Sequence, residues 1–222
     1  MPKIAIVAAL EREVRPLVKE WRSTQRQHDG RQFRFFENDR SVLICGGIGA
    51  GAARRASEAI LTLFEPSVIY SVGFAGGLDP SLKVGDIVRP ARIVDAADGS
   101  SAMLSNGDGV LVSFQSVASP TQKSKLRESF GALAVDMEAA TVARTAEQRG
   151  IRFEVLKIIS DESHFELPPL DRFVNSEGMF SQGRFVLFAA TRPWMWPHVF
   201  KLARNSGKAS RVLCSALRDV TG

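Results

Sequence analysis

Near-continuous apolar runs recur along this 222-residue chain and constrain its fold class more than any other feature: Ile4-Ala5-Ile6-Val7-Ala8-Ala9, residues 42–45, Val68-Ile69-Tyr70-Ser71-Val72 and Val155-Leu156-Lys157-Ile158-Ile159-Ser160. A strand with one wet face alternates apolar and polar residues, so runs without alternation suit strands covered on both sides. Between them the period changes. Leu10, Val14, Leu17 and Trp21 fall at i, i+4, i+7 and i+11, one stripe of a helix in which Pro16 belongs near the first turn or at a kink. Gly46-Gly47-Ile48-Gly49-Ala50-Gly51 opens an Ala-rich helix to about residue 64, stopped by Pro66. Further helices are expected over 121–130 and 137–149, the last capped by Gly150. Strands alternating with helices predict an α/β protein, a three-layer α/β/α sandwich around a central mixed sheet.

Additional strands are expected over 33–37, 87–94 and 110–117, with Asn38-Asp39-Arg40 as a hairpin-like turn and 98–109 as a loop. The last 60 or so residues read as mostly helical, broken by Pro168-Pro169, Pro193 and Pro197. At 45% hydrophobic and 24% charged, the composition suits one sizeable core and hence one domain over 1–222, with a divergent aromatic and basic helical tail from about residue 165. No apolar stretch approaches the roughly 18 residues of a membrane span, and the N-terminal run reads as a strand and not a leader. A cytoplasmic protein is the expectation, with Cys45 and Cys214 as two apolar thiols at no metal-ligand spacing.

The net charge of +5 is carried by the tail, where seven basic residues after Met179 face Asp219 alone, a balance of +6. These cations are interspersed with Phe, Leu and Val at helical spacing and form no compact cluster, which argues against nucleic acid. A solvated helix face, a partner subunit or an anionic membrane surface remains.

Three acids sit where apolar runs meet their neighbours: Glu13 after the first, Glu138 in Ala134-Val135-Asp136-Met137-Glu138, and Asp161 closing the last. A carboxylate at the end of a buried strand costs several kcal/mol to desolvate unless it has a partner or a task. In an open α/β sheet, ligands bind beyond the carboxyl ends of the strands. Each acid also has a plainer role, Glu13 and Glu138 as first-turn acids at a helix dipole and Asp161 as a cap. Their joint placement favours an active site. Gly47-x-Gly49-x-x-Ala52 meets a relaxed dinucleotide fingerprint, but the next strand ends in Gly73-Phe74-Ala75 without the acid that would hold a ribose. Gly49 and its neighbours are therefore read as a tight turn beside a small ligand.

Leu10-Glu11-Arg12-Glu13-Val14, Gly47-Ile48-Gly49, Ala75-Gly76-Gly77-Leu78 with Lys83-Val84-Gly85-Asp86-Ile87-Val88, Val135-Asp136-Met137-Glu138-Ala139 and Ile159-Ser160-Asp161 occur in the order seen in the nucleoside phosphorylase superfamily. Over residues 3–165 the chain most resembles the 5′-methylthioadenosine/S-adenosylhomocysteine nucleosidases. The resemblance implies cleavage of the N-glycosidic bond of a purine nucleoside. In that chemistry the base must be protonated or hydrogen-bonded at N7 and the developing sugar cation needs negative charge nearby. By resemblance, Asp161 is the acid at the purine and Ser160 holds it. Glu138 binds the ribose hydroxyls, Met137 packs on the sugar and Glu13 deprotonates the attacking water. Val117 and Ser116 offer backbone to the base, and Phe74 replaces a common serine. No metal or organic cofactor is implied, and a homodimer is.

The nucleophile is open between water and phosphate. Phosphorylases of the superfamily typically offer an arginine and a serine near the strand ending here in Ser71-Val72-Gly73-Phe74-Ala75, whereas this chain has Ser71 and Phe74 and keeps Glu13. Arg54 and Arg55 could serve a phosphate or face solvent. In the tail, Phe165, Phe173, Phe180, Phe185, Phe188, Trp194, Trp196 and Phe200 form either core and subunit interface or an apolar mouth for a greasy 5′ substituent, flanked by cations that hold a membrane. That combination looks like the hopanoid-associated members, which act on an adenosyl-hopane lipid. A nucleoside-binding protein without turnover is the alternative from another class.

Overall fold

The structure is a computed structural model that describes residues 3–175 and 177–221. The chain opens with β1 (Ile4–Ala8), α1 (Glu11–Val18), β2 (Arg22–His28), β3 (Arg31–Glu37), β4 (Ser41–Cys45), α2 (Ala50–Phe64) and β5 (Val68–Gly77). Short strands β6 (Ile87–Val88), β7 (Arg92–Asp95), β8 (Ser101–Met103) and β9 (Val110–Ser113) lead to α3 (Pro120–Phe130), β10 (Ala134–Asp136), α4 (Ala139–Gln148) and β11 (Arg152–Asp161). The tail holds a 3₁₀ turn (Leu170–Phe173), α5 (Gln182–Ala190), a second 3₁₀ turn (Pro193–Met195) and α6 (Trp196–Thr221).

The strands form one mixed sheet in the order β2-β3-β4-β1-β5-β10-β9-β7-β8, with β11 pairing β5 and β6. β1 lies parallel between β4 and β5, and β11 runs parallel along nearly the whole of β5. Successive residues of β1 face opposite layers, as a period of two demands. Ile6 and Ala8 join Val14, Leu17, Leu213 and Leu217 under α1 and α6, whereas Ala5 and Val7 join Ala56, Ile60, Val142 and Ala146 under α2 and α4. Each fully buried leucine or isoleucine contributes about 1.5–3 kcal/mol, which is why the unalternating runs become central strands. The expected α/β/α sandwich is the observed one.

Local differences have identifiable causes. β2 reads Arg-Ser-Thr-Gln-Arg-Gln-His and sits at the sheet edge, so it shows no apolar period, and the helix expected to reach Trp21 stops at Val18. The strand expected over 87–94 is two strands because Pro90, lacking an N–H, cannot continue a ladder; β6 pairs β11 while β7 pairs β8 and β9. β9 ends at Ser113, four residues early, and α4 begins at Ala139 and not Met137. Pro16 lies inside α1 and leaves the Arg12 carbonyl without its helical donor. Ser210 of α6 donates to the Glu13 carbonyl at 2.9 Å and to that of Arg12 at 3.4 Å, fastening the first turn of α1, and with it Glu13, to the rest of its layer.

Candidate active site

A cavity of about 150 Å³ opens over the second half of β5. Its walls come from the β1–α1 junction, residues 116–118, the segment after β10, the end of β11, and Leu167, Leu170, Val174 and Phe180 of the tail. Glu13, Phe74, Val117, Met137, Glu138, Ser160 and Asp161 all line it, so residues distant in sequence converge as expected. Gly49 lies behind this lining; its N–H donates to Glu138 Oε1 at 2.8 Å and so sets the orientation of that carboxyl.

At one end three acids meet one lysine. Asp136 caps α4: Oδ2 accepts from the Ala139 N–H at 2.9 Å, and Oδ1 accepts from the Ser113 hydroxyl at 2.6 Å. That leaves Glu138 free of the capping task. Lys157, only 1% exposed, reaches Asp136 at 2.8 Å and Glu138 at 4.0 Å. Burial works against charge on Lys157, but Asp136 first and then Glu138 outweigh it and hold the ammonium above the ordinary lysine range. Glu13 is 5% exposed, and its Oε2 has no hydrogen-bond partner among the described residues. Burial first, and then the neighbouring charge of Glu138, push the Glu13 carboxyl up to about 7. Glu138 is likewise raised, by burial and then by Asp136, with Lys157 opposing. Gly73 makes the approach of Glu13 possible: a Cβ there would stand 2.7 Å from Oε2.

The other end is organised by an irregularity in β11. Its register against β5 shifts between Ile159 and Asp161, so Ser160 is an extra residue in a bulge. Neighbours in a regular strand point to opposite faces; here the Ser160 hydroxyl donates to Asp161 Oδ1 at 2.6 Å. Lys123 of α3, 1% exposed, donates to Asp161 Oδ2 and to the Glu162 carbonyl, the latter at 2.8 Å. Gly76 leaves room for this pair, since a Cβ would meet Asp161 Oδ2 at 3.1 Å and Lys123 Cε at 3.2 Å.

The family model for the phosphorylase superfamily matches residues 3–112 and 107–175. The chain belongs to the phosphorylase superfamily. Similar proteins include the 5′-methylthioadenosine/S-adenosylhomocysteine nucleosidases of Marinomonas sp. strain MWYL1, 27% identical across 76% of this chain and 89% of the relative, and of Bacillus licheniformis, 29% identical across 72% and 85%. Solved structures with the same fold include a Helicobacter pylori nucleosidase variant with 5′-methylthioadenosine in its active site, at a TM-score of 0.71, 19% identity and 99% coverage of both chains. The futalosine hydrolase of the same organism matches at a TM-score of 0.63 and 22% identity, over 72% of this chain and 88% of its own.

Within this superfamily site, sequence reasoning passed over Lys123, Lys157 and the aliphatic part of the tail wall, Leu167, Leu170 and Val174, whereas Phe180 was among the rings expected at an apolar mouth. Lys157 carried a signal, a lone cation inside an apolar strand, which demands a buried acid. Lys123 carried none: in Gln122-Lys123-Ser124-Lys125 it reads like its solvated neighbour. Arg54 is exposed and Arg55 donates to the Glu177 carbonyl at 3.0 Å, so neither lines the cavity. Arg12 does line it, stacked 5.1 Å from the Phe180 ring. The eight tail rings divide: Phe173 packs edge-on against Phe180, Phe185 and Phe188, whereas Trp194 and Phe200 are 71% and 68% exposed.

Proposed function

We propose that this protein hydrolyses the N-glycosidic bond of a 5′-substituted adenosine and releases the base. The observation that carries the reading is one cavity with surplus carboxylate at one end and a paired acid and donor at the other. Breaking the bond pushes electrons into the base and leaves a cationic sugar. Lys157 offsets Asp136, so Glu138 and Glu13 supply the surplus negative charge that stabilises such a cation where water is excluded. Glu138 accepts hydrogen bonds from the ribose hydroxyls and Met137 packs against the sugar. Glu13, with an uncommitted oxygen and a pKa of about 7, takes the proton of the attacking water; a base is most effective when its pKa lies near the working pH. Ser160 holds Asp161 at the purine, Val117 offers backbone to the base, and Phe74 narrows the floor beside it. Water is the nucleophile, because Glu13 stands in the cavity with an uncommitted oxygen to deprotonate it, whereas phosphate calls for a set of cationic ligands: Arg54 and Arg55 stand outside the cavity, Arg12 is stacked on the Phe180 ring and Lys123 is paired with Asp161.

The test is base release from a panel of 5′-substituted adenosines, with and without phosphate. Release independent of phosphate is expected, falling at least about a hundredfold in Glu13→Gln and in Asp161→Asn, in line with the roughly 10²–10⁴ that positioned acids and bases contribute. Binding without release from any nucleoside would establish a sensor instead.

The apolar tail wall of Leu167, Leu170, Val174 and Phe180 suits a greasy 5′ substituent, and a lipid-linked adenosine is the extreme case. Further along the tail Leu187, Trp194 and Phe200 are exposed, in a stretch of sequence that also carries Arg184, Arg192, Lys201 and Arg204, a combination that favours peripheral contact with an anionic membrane. A homodimer would be the other way to cover these side chains. Flotation with phosphatidylglycerol vesicles at low salt supports the membrane reading. Absence from the vesicle fraction, together with a dimeric mass in sedimentation, overturns it in favour of the dimer.

A further inference from the structure

The Lys123–Asp161 pair is placed for more than structural neutralisation. An ammonium has three donors, and among the described residues Lys123 gives one to Asp161 Oδ2 and one to the Glu162 carbonyl. Its side chain nonetheless lines the cavity, leaving one donor for whatever enters. Asp161 accepts from Ser160 and Lys123, and a carboxylate has about four acceptor positions, so it too has capacity left. Donor and acceptor are therefore adjacent, on rigid elements, at the end of the cavity away from Glu13. The Hoogsteen edge of adenine presents the complement, with N7 accepting and the exocyclic amine donating. A 6-oxopurine presents two acceptors there and sets its carbonyl against the Asp161 carboxylate.

Resting on the function proposed above, we infer that Lys123 is the group that holds and protonates N7, while Asp161 accepts from the exocyclic amine and selects adenine over 6-oxopurines. As the bond from C1′ to N9 breaks, its electron pair passes into the base, the Lys123 Nζ–H bond breaks and N7–H forms, so adenine leaves neutral. Water adds to C1′ and its proton passes to Glu13. Return of that proton to Lys123 through solvent restores the starting charges, with one water consumed.

The experiment has a binding arm and a turnover arm, so that failure of this inference is distinct from failure of the nucleosidase reading. By calorimetry on the wild type, adenine is expected to bind at least tenfold more tightly than 7-deazaadenine, which lacks the N7 acceptor, and than hypoxanthine. Equal binding of the three overturns the donor and acceptor assignment whether or not the protein turns over. In the second arm, 5′-methylthioadenosine and other 5′-substituted adenosines are assayed with Lys123→Arg, which keeps the buried ion pair and the donor but does not release a proton near neutral pH. Adenine affinity within threefold of wild type with kcat down at least a hundredfold is the expected split. Lys123→Met, checked for native circular dichroism, should lose both. Either variant turning over at the wild-type rate overturns the proton transfer and returns that role to Asp161 alone.

Discussion

The two ends of the cavity use the same ingredients in different proportions. At the base end one carboxylate, Asp161, meets one ammonium, Lys123. At the sugar end Asp136, Glu138 and Glu13 share Lys157, which lies 2.8 Å from the first and 4.0 Å from the second. A matched pair in a buried site is locally neutral and rich in hydrogen-bonding capacity; an unmatched set is an electrostatic reservoir. Bond cleavage that leaves a neutral base and a cationic sugar calls for that gradient. On the proposed reading, the ratio of charges, more than the presence of acids, assigns the roles.

Removing Lys157 should break the comparison most severely. Lys157→Met leaves Asp136 and Glu138 buried without a counter-charge, and stripping one partner from a buried pair typically costs about 3–5 kcal/mol. Urea denaturation at pH 7 should show a larger loss for Lys157→Met than for Lys123→Met, which orphans a single acid. Adding Asp136→Asn to Lys157→Met should recover part of the loss. Equal losses at the two lysines would mean that the sugar end is no richer in uncompensated charge than the base end.

The central strands were legible because burial on both faces leaves an unmistakable apolar run, and the three acids because they sit where apolar runs meet their neighbouring segments. What escaped was set by contacts that no local pattern encodes. β2 is polar on both faces because it lies at the sheet edge and owes its existence to pairing with β3. The bulge that turns Ser160 and Asp161 together is a shift in the register of β11 against β5, a property of the pairing and not of either segment alone. The proximity of Lys123 to Asp161, across 38 positions, follows from where α3 lies over β9 and β10. Lys157 was the one omission the sequence could have corrected, since an unpaired ammonium in a central strand is too costly to leave without an acid.

A smaller effect follows from Glu13. Its carboxyl titrates near 7 in the folded protein against an ordinary value of 4.5, so between those pH values the folded state holds a proton that the unfolded chain releases. Stability therefore falls as pH rises through that window, by about 3 kcal/mol at most from a shift of this size, and stays lowered above it. Glu13→Gln carries no such penalty. The variant should match the wild type near pH 4.5, exceed it increasingly up to about pH 7 and hold that advantage at pH 8, while base release is lost. A difference independent of pH would remove Glu13 from the strained end of the comparison.

The glycines of β5 offer the finest distinction between the ends. Gly73 has φ of +137°, a conformation L side chains rarely adopt, and a Cβ there would press 2.7 Å from the buried oxygen of Glu13. Strain of this kind costs about 1–3 kcal/mol, and the displaced group is the proposed base itself. Gly76 has no positive φ, and its added Cβ would meet Asp161, Lys123 and Val135 at 3.1–3.3 Å, which small shifts relieve. Gly73→Ala should thus lower kcat with little change in adenine affinity and measurable destabilisation, whereas Gly76→Ala should weaken adenine binding at nearly unchanged stability. The opposite assignment of the two defects would place water where the purine is argued to lie, because each glycine is in contact with the carboxylate of one end only.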